Sequence, residues 1–212
     1  MAEEALGWGV HVLSEKPAAI SPNQLKKLRE AEKRSVAQYG VCFQNRYNPC
    51  VQAAKERMES GTTGKLLAAR AFVTWNRQPP YYTESGWRGT LRQEGGGVLT
   101  NQAIHTLDLM RYFGGEIAAI SGQITNQHLR GVIEVEDTAC VLLQYASGAA
   151  GIFYATTAYR QNAPVLLELV CEQETLRLES NLYRLEGNRF TLLCGEEERM
   201  PGKPYWGSAT RG

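Results

Sequence analysis

One predicted helix carries polar residues that could move a proton. The segment GGGVLTNQAIHTLDLMRYFGG, residues 95–115, has three glycines that lead into helical apolar spacing. Steps of four, seven and eleven residues from Asn101 place His105, Asp108 and Tyr112 on one predicted stripe. An imidazole transfers protons near neutral pH, so the histidine is a candidate acid/base group.

The chemistry of this stripe has two interpretations. Residues that prefer burial border it: Leu99, Ala103, Ile104, Leu107 and Met110. A buried polar group without a partner costs about 1–3 kcal/mol, so both the histidine and the aspartate need partners. Either the two side chains bond to backbone groups of a neighbouring loop, or His105 belongs to a proton-transfer site. The glycines at 95–97 support the second interpretation, because they let backbone approach closely at the helix entry.

The elements before this helix have the pattern of a parallel crossover. Residues 10–13 form a short β-rich run. A helix is predicted to start after Ser21, with Pro22 at its first position, where a missing N–H costs nothing. Residues 37–45 then form a second buried strand. Strand, helix and strand in this order predict a parallel βαβ unit.

The rest of the chain predicts helices and an antiparallel sheet. A second helix lies between Pro49 and Gly61, which suit its start and its end. Successive β-like runs separated by turn residues follow: 65–77, 116–127, 136–148, 149–160 and 164–180. The predicted fold class is α/β with α+β character, in which helices cover one face of a mainly antiparallel sheet. Residues 78–97, rich in Pro, Gly, Tyr, Trp and Arg, are predicted to be irregular, as a binding loop or a packed surface loop.

Composition excludes several classes of protein. The 212 residues have a net charge of +1 and mixed charges, so nucleic acid is not an expected partner. The basic run at 24–34 contains Glu30 and Glu32 and is interpreted as a solvated helix face. No run suits a membrane span or signal peptide. The five cysteines are widely spaced, with no CxxC pair and no His cluster nearby, so we expect no metal site. We interpret them as reduced thiols, which predicts a cytoplasmic location.

Two motifs in order carry a family resemblance. HVLSEKPAAIS, residues 11–21, is followed about eighty residues later by GGGVLTNQAIHTLD, residues 95–108, with QNRYNP at 44–49 between them. The chain therefore resembles the Gfo/Idh/MocA family of NAD(P)-dependent sugar and inositol oxidoreductases. The resemblance implies hydride transfer between NAD or NADP and a secondary alcohol of a small sugar derivative. It also implies a homo-oligomer formed through the antiparallel sheet. YYTESGWRGT, residues 81–90, looks most like members that act on nucleotide-linked or acidic sugars.

The resemblance also implies roles for single residues. His105 is the expected acid/base group, and Lys16 is the cation that stabilises charge on the reacting oxygen. Asn101 stands where many relatives have Asp; it cannot accept a proton, but it can orient the substrate. The expected cofactor-binding residues are Glu15, which also helps to place Lys16, together with Pro17 and Arg46. The expected substrate-binding residues are Tyr47, Trp87, Arg88 and Gln102.

The domain organisation follows from the same resemblance. Residues 1–48 are expected to be the C-terminal part of a Rossmann domain, and residues 49–212 a substrate-binding and oligomerisation domain. The glycine fingerprint G-x-G-x-x-G should lie upstream of the E-K-P segment, and GWGVHV does not provide it. The final segment GKPYWGSATRG resembles a point where relatives continue into further helices. We therefore expect an internal portion of a larger architecture, whose strand at 10–13 or 41–45 exposes an edge that favours association.

Three hypotheses stay open from the sequence. The chain is an oxidoreductase whose cofactor site is completed elsewhere or has been lost. Alternatively, it is a non-catalytic dimerisation or assembly module derived from that family. In the third hypothesis the chain is shortened or its gene start is misread, and the full-length protein is a normal enzyme.

Overall fold

A computed structural model describes residues 1–195 of the chain. The helices are α1 (Ala2–Gly7), α2 (Pro22–Arg34), α3 (Pro49–Glu59), α4 (Pro79–Thr83) and α5 (Ile104–Gly114), with a 3-10 helix at Gln44–Tyr47. The strands are β1 (Val12–Ser14), β2 (Tyr39–Val41), β3 (Leu66–Thr74), β4 (Ile117–Thr125), β5 (Thr138–Tyr145), β6 (Ala150–Thr156), β7 (Leu166–Cys171), β8 (Thr175–Leu178), β9 (Leu182–Glu186) and β10 (Arg189–Cys194). The segment GKPYWGSATRG lies outside the described residues.

The N-terminal part contains the predicted parallel crossover. Strands β1 and β2 pair in parallel on either side of α2, with Leu13 opposite Gly40. Ser21 caps α2, because its Oγ accepts a hydrogen bond from the main-chain N–H of Gln24 over 3.3 Å, and Pro22 follows as predicted. A small core of Leu6, Leu28 and Ala37 holds this part together, and the carboxyl end of β1 leads directly to Lys16.

The remaining strands form one eight-stranded sheet in the order β10-β9-β8-β7-β3-β6-β5-β4. Every neighbouring pair is antiparallel except β3 and β6, which are parallel. The predicted α/β class with a mainly antiparallel sheet is therefore confirmed. Alternate residues of β3 and β6, such as Ala71, Val73 and Phe153, are fully buried in the core that α5 covers, while α3 packs on β8, β9 and β10. Each large apolar side chain buried there contributes about 1.5–3 kcal/mol.

Four local predictions differ from the structure. The strand predicted at 37–45 covers only Tyr39–Val41, and a 3-10 helix at Gln44–Tyr47 follows it. The run at 164–180 is two strands, β7 and β8, because the chain turns at 172–174. Pro79 starts the short helix α4 inside the segment that was predicted to be irregular. Residues 98–103 form turns, and the helix begins only at Ile104. Helix α1 and the last hairpin, β9 and β10, were not predicted.

Candidate active site

Lys16 reaches from the end of β1 to the turn before α5. Its Nζ donates a hydrogen bond to the main-chain oxygen of Asn101 over 2.9 Å. Burial lowers the pKa of the Lys16 ammonium, while the negative charges of Glu15 and Glu94 oppose that shift. The two motifs that carry the family resemblance therefore meet in space, although 85 residues separate them.

A buried carboxylate shapes the glycine turn before α5. Glu136 accepts hydrogen bonds from the main-chain N–H groups of Gly97 over 2.9 Å and Leu99 over 3.0 Å. A Cβ at Gly97 would overlap the main-chain oxygen of Glu136, and one at Gly95 would overlap the backbone of Ile20. The close approach that these glycines allow is thus to the protein's own backbone.

Asn101 is not part of the helix, so the predicted stripe of four polar residues is wrong at its first member. Its main-chain N–H bonds to the carbonyl of Gly97 over 2.9 Å within the turn. Its side-chain amide donates to the buried carboxylate of Glu94. Glu94 also accepts from the N–H of Gly89 over 2.5 Å. The amide hydrogens that were expected to orient substrate are therefore directed to Glu94, and the main-chain oxygen holds Lys16.

His105 is the second residue of α5 and is half-buried. Its ring meets the edge of Phe43 at a centroid distance of 6.0 Å, and its Nδ1 is buried without a hydrogen-bond partner among residues 1–195. Burial and then the positive charge of Lys16 lower the pKa of this imidazole, against the opposing charge of Asp108. A neutral imidazole at neutral pH can accept a proton, so the geometry suits a general base.

Arg46 and Asp108 form a bidentate ion pair behind the histidine. Arg46 Nε lies 2.7 Å from Asp108 Oδ2, and Nη2 lies 2.5 Å from Oδ1. The guanidinium also packs over the ring of Tyr112 at 4.9 Å. The hydrogen bond to Asp108 raises the pKa of Arg46. This pairing favours a positioning role that ties the 3-10 helix to α5, over the predicted contact with a cofactor.

A pocket with a mixed polar and apolar lining opens beside His105, with a volume of about 150 Å³. Its walls come from the 3-10 helix, the end of β3, the turn before α5, and α5 itself. The lining residues are Gln44, Asn45, Trp75, Gln102, His105, Thr106 and Val165. Of the predicted substrate-binding residues, Gln102 lines this pocket and is 7% exposed.

The other predicted site residues lie outside this lining. Tyr47 is 79% exposed. Arg88 packs over Tyr81 at 4.4 Å and over Trp87 at 5.0 Å, within the aromatic loop. Glu15 is exposed beside Lys16, and Pro17 is half-buried after a cis peptide bond. These positions leave the roles of the five residues, Glu15, Pro17, Tyr47, Trp87 and Arg88, as predictions.

Several residues of the site were missed from the sequence. The buried carboxylates Glu94 and Glu136 position the turn, and a Glu directly before three glycines was the available signal for the first. Gln44 and Asn45 lie within the QNRYNP motif, whereas Trp75 gave no signal.

Within residues 1–195, no group of three or more His, Cys, Asp or Glu side chains is arranged to hold a metal ion. None of the helices in this range has the length and apolar character needed to cross a bilayer.

The sequence matches a family model and several characterised proteins. The model of the GFO/IDH/MocA C-terminal domain matches residues 51–177. A levoglucosan dehydrogenase from Pseudarthrobacter phenanthrenivorans is 26% identical over 185 residues, 76% of this chain and 47% of that protein. The scyllo-inositol 2-dehydrogenase (NAD(+)) of Bacillus subtilis is 29% identical over 146 residues, 68% of this chain and 40% of that protein.

The structure is similar to that of a related dehydrogenase. The WlbA dehydrogenase from Bordetella pertussis, solved in complex with NADH and UDP-GlcNAcA, superposes with a TM-score of 0.77 and 31% identity. The match covers 84% of this chain and 54% of that one. The chain spans about half the length of the proteins that it matches.

Proposed function

Because the chain belongs to the Gfo/Idh/MocA family, we propose that the whole protein transfers hydride between a nicotinamide cofactor and a secondary alcohol of a sugar or sugar derivative. The observation that carries this proposal is the meeting of Lys16 with Asn101, one turn before His105. The relatives are named as dehydrogenases, which favours this function over the alternative of a non-catalytic assembly module.

In the proposed chemistry His105 transfers the proton and Lys16 stabilises charge. His105 takes the proton from the substrate hydroxyl through its imidazole, whose lowered pKa keeps it neutral near pH 7. Lys16 stabilises the negative charge that develops on the same oxygen. Asn101 acts on the reaction by holding the Lys16 amine, while Glu94 holds the Asn101 amide. The nicotinamide cofactor supplies the hydride acceptor or donor.

The residues present fit the reacting end of such a cofactor. Lys16 follows the carboxyl end of β1, and the ring of His105 meets Phe43, just past the carboxyl end of β2. The carboxyl ends of parallel strands are where α/β proteins commonly bind nucleotides. Within residues 1–195, β1 runs into Glu15, Lys16 and Pro17 and not into a glycine-rich turn. We propose that Glu15 and Pro17 border the nicotinamide end of NAD or NADP, and that another part of the whole protein cradles the pyrophosphate. In the same proposal, residues 1–48 belong to the cofactor domain and the rest to the substrate domain.

An open face of the large sheet supports the proposed homo-oligomer. Residues directly opposite in neighbouring strands share a face, and Leu142 lies opposite Ile152, which lies opposite Arg70. This row of directly opposite residues continues with Glu168 on β7 and Arg177 on β8. It ends with Tyr183 on β9 and Leu192 on β10. Leu142 and Ile152 are exposed neighbours on this face, and Leu192 is exposed at its far end. Exposed apolar neighbours of this kind mark association sites.

We propose a cytoplasmic location from the cysteines. Cys42, Cys140 and Cys171 are thiols in the described part of the chain. The Sγ atoms of Cys50 and Cys194 lie 3.0 Å apart. Reducing compartments keep such thiols from pairing.

The test of the proposed activity is a titration of the protein with NADH and NADPH, followed by assays with sugars and inositols. We expect saturable nicotinamide fluorescence from the whole protein and substrate-dependent reduction of NAD or NADP. The His105→Ala variant should lower the rate by about 10²- to 10⁴-fold with little change in cofactor affinity. Turnover that persists unchanged in this variant would refute the proposed base.

A further inference from the structure

Two cysteines that are far apart in sequence meet between α3 and β10. Cys50 Sγ donates a hydrogen bond to Cys194 Sγ over 3.0 Å, and it also lies 3.5 Å from the main-chain oxygen of Cys194. The two residues are 144 positions apart, and each is only 2% exposed. An S–S bond is about 2.05 Å long, so a small further approach of the two sulfur atoms would join them.

A β-bulge turns the side chain of Cys194 toward Cys50. Side chains alternate between the two faces of a strand, so Phe190, Leu192 and Cys194 would all share the open face of the large sheet if β10 were regular. The pairing of β10 with β9 instead shifts between Leu192 and Cys194, which places Cys194 opposite the buried Leu182. Phe190 and Leu192 are exposed, whereas Cys194 is buried in the main core. Bulges commonly re-aim a side chain in this way.

The first turn of α3 holds the other sulfur atom. Pro49 starts this helix and Cys50 follows it. Helix α3 packs against β10, and its residues Val51 and Ala54 belong to the same core as the two cysteines. Both sulfur atoms are therefore carried by regular elements that are packed against each other.

A small cavity lies beside the first turn of α3. Its volume is about 50 Å³, and Cys50, Val51, Thr106 and Leu178 are among the residues that line it. A cavity of this size holds a molecule as small as water or hydrogen peroxide. Because buried thiols react poorly with bulky reagents, we expect the pair to respond to small oxidants.

We propose that Cys50 and Cys194 are a redox-responsive pair that closes to a disulfide under oxidising conditions. With hydrogen peroxide as the oxidant, one thiol becomes a sulfenic acid and a first water is released. The other sulfur then attacks the sulfenic sulfur, the S–S bond forms and a second water leaves. In total the two thiols lose two electrons and two protons, which reduce one peroxide to two waters. In a reducing compartment the pair stays open, so the disulfide forms only when oxidant rises.

The disulfide acts on an element that carries part of the candidate site. The 3-10 helix lies just before α3, and Gln52 of α3 donates its Nε2 to the main-chain oxygen of Arg46. Arg46 in turn is bound to Asp108 on α5. A covalent link at Cys50 therefore restrains the start of α3 and, through it, the 3-10 helix. Closing so long a loop also restricts the unfolded chain, which stabilises the folded state.

The test compares reduced protein with protein treated with hydrogen peroxide, in a Cys42→Ser, Cys140→Ser background that removes the less buried thiols. Intact-mass spectrometry should show the loss of two hydrogen atoms, and peptide mapping without reductant should find Cys50 joined to Cys194. We expect the unfolding temperature to rise by about 5–10 °C on oxidation and to return to its starting value after dithiothreitol.

Two further variants separate the pair from general oxidation. Cys50→Ala in the same background should abolish both the loss of hydrogen and the rise in unfolding temperature. Cys171→Ala, at a buried cysteine on β7, is the matched control and should keep both responses. Each variant is compared with its own reduced form, so a change in starting stability does not affect the comparison.

Several outcomes would overturn the proposal. These are Cys50 and Cys194 that both remain alkylatable thiols after peroxide treatment and unfolding, oxidation that stops at a sulfinic acid on either residue, or a disulfide to Cys171 instead. A linked protein that unfolds at the same or a lower temperature would also contradict it. None of these measurements involves hydride transfer, so this inference and the proposed function stand or fail separately.

Discussion

The ammonium of Lys16 donates to the main-chain oxygen of Asn101 over 2.9 Å, which joins the end of strand β1 to the turn before α5. One side of this contact belongs to the small parallel pair and the other to the domain built on the large sheet. Because His105 follows only four residues later, the same contact fixes a cation beside an imidazole. The proposed chemistry depends on this relationship.

Gly97 should be intolerant of any side chain. In Gly97→Ala the new methyl group overlaps the main-chain oxygen of Glu136, and the hydrogen bond from Val98 N to that oxygen, 3.0 Å long, must give way. We expect a loss of about 1–3 kcal/mol in the free energy of unfolding, measured by urea denaturation. Gly7→Ala, in open space at the end of α1, is the control and should be neutral or slightly stabilising. Equal effects of both changes would contradict the packing described here.

The Arg46–Asp108 pair should stabilise the site more than an exposed pair does. Asp108→Asn removes the charge that holds the guanidinium, and because Arg46 is about a third exposed, the expected cost is reduced to about 1–2 kcal/mol. The control is Glu186→Gln, whose pair with Arg184 at 3.3 Å is more exposed and should contribute less than about 0.5 kcal/mol. Thermal unfolding at low and at high salt measures both changes, and a larger effect at the Glu186 pair would contradict this ranking.

Restoring the aspartate found in many relatives should destabilise this chain at neutral pH. In Asn101→Asp a second carboxylate meets the buried Glu94, and the two negative charges repel each other. Protonation of either carboxylate removes this repulsion, so the variant should recover stability as pH falls. The double variant Asn101→Asp with Glu94→Gln should regain stability at pH 7. A single variant that is insensitive to pH would argue against the contact.

Association should depend on the open face of the large sheet. Leu142→Glu places a charge next to Ile152 on that face, and we expect it to lower the mass measured by light scattering toward that of one chain. Leu13→Glu, at an exposed position on β1, tests the alternative of an exposed strand edge and should leave the mass unchanged. The reverse pattern would move the interface to that edge.

Local chemistry in the sequence predicted much of the fold. Ser21 with Pro22 gave the start of α2, and Pro49 with Gly61 bounded α3, because caps and proline act within one turn. Alternating apolar runs gave most strands of the large sheet. The parallel pairing of β3 with β6 was not predictable, since it is set by contacts between segments far apart in sequence.

The sequence indicated part of the candidate site. Lys16 came from the resemblance, His105 came first from its place in the predicted helix, and the structure brings their neighbourhoods together. Asn101 was assigned to a helix because its spacing fitted one, but the distant carboxylate of Glu136 holds the preceding residues in a turn. Trp75 lines the pocket because of tertiary packing, which no local sequence pattern predicts.

The most direct measurement of the central claim is the pKa of His105 by NMR, with and without the charge at position 16. Burial and the Lys16 charge both lower this pKa, so we predict a value below 6.5 in the original protein and a higher one in Lys16→Met. Lys16→Arg keeps the charge and should keep the pKa low, and Lys33→Met, at an exposed position on α2, should have no effect. A His105 pKa that is the same with and without the Lys16 charge would contradict the claim that the two side chains share one site.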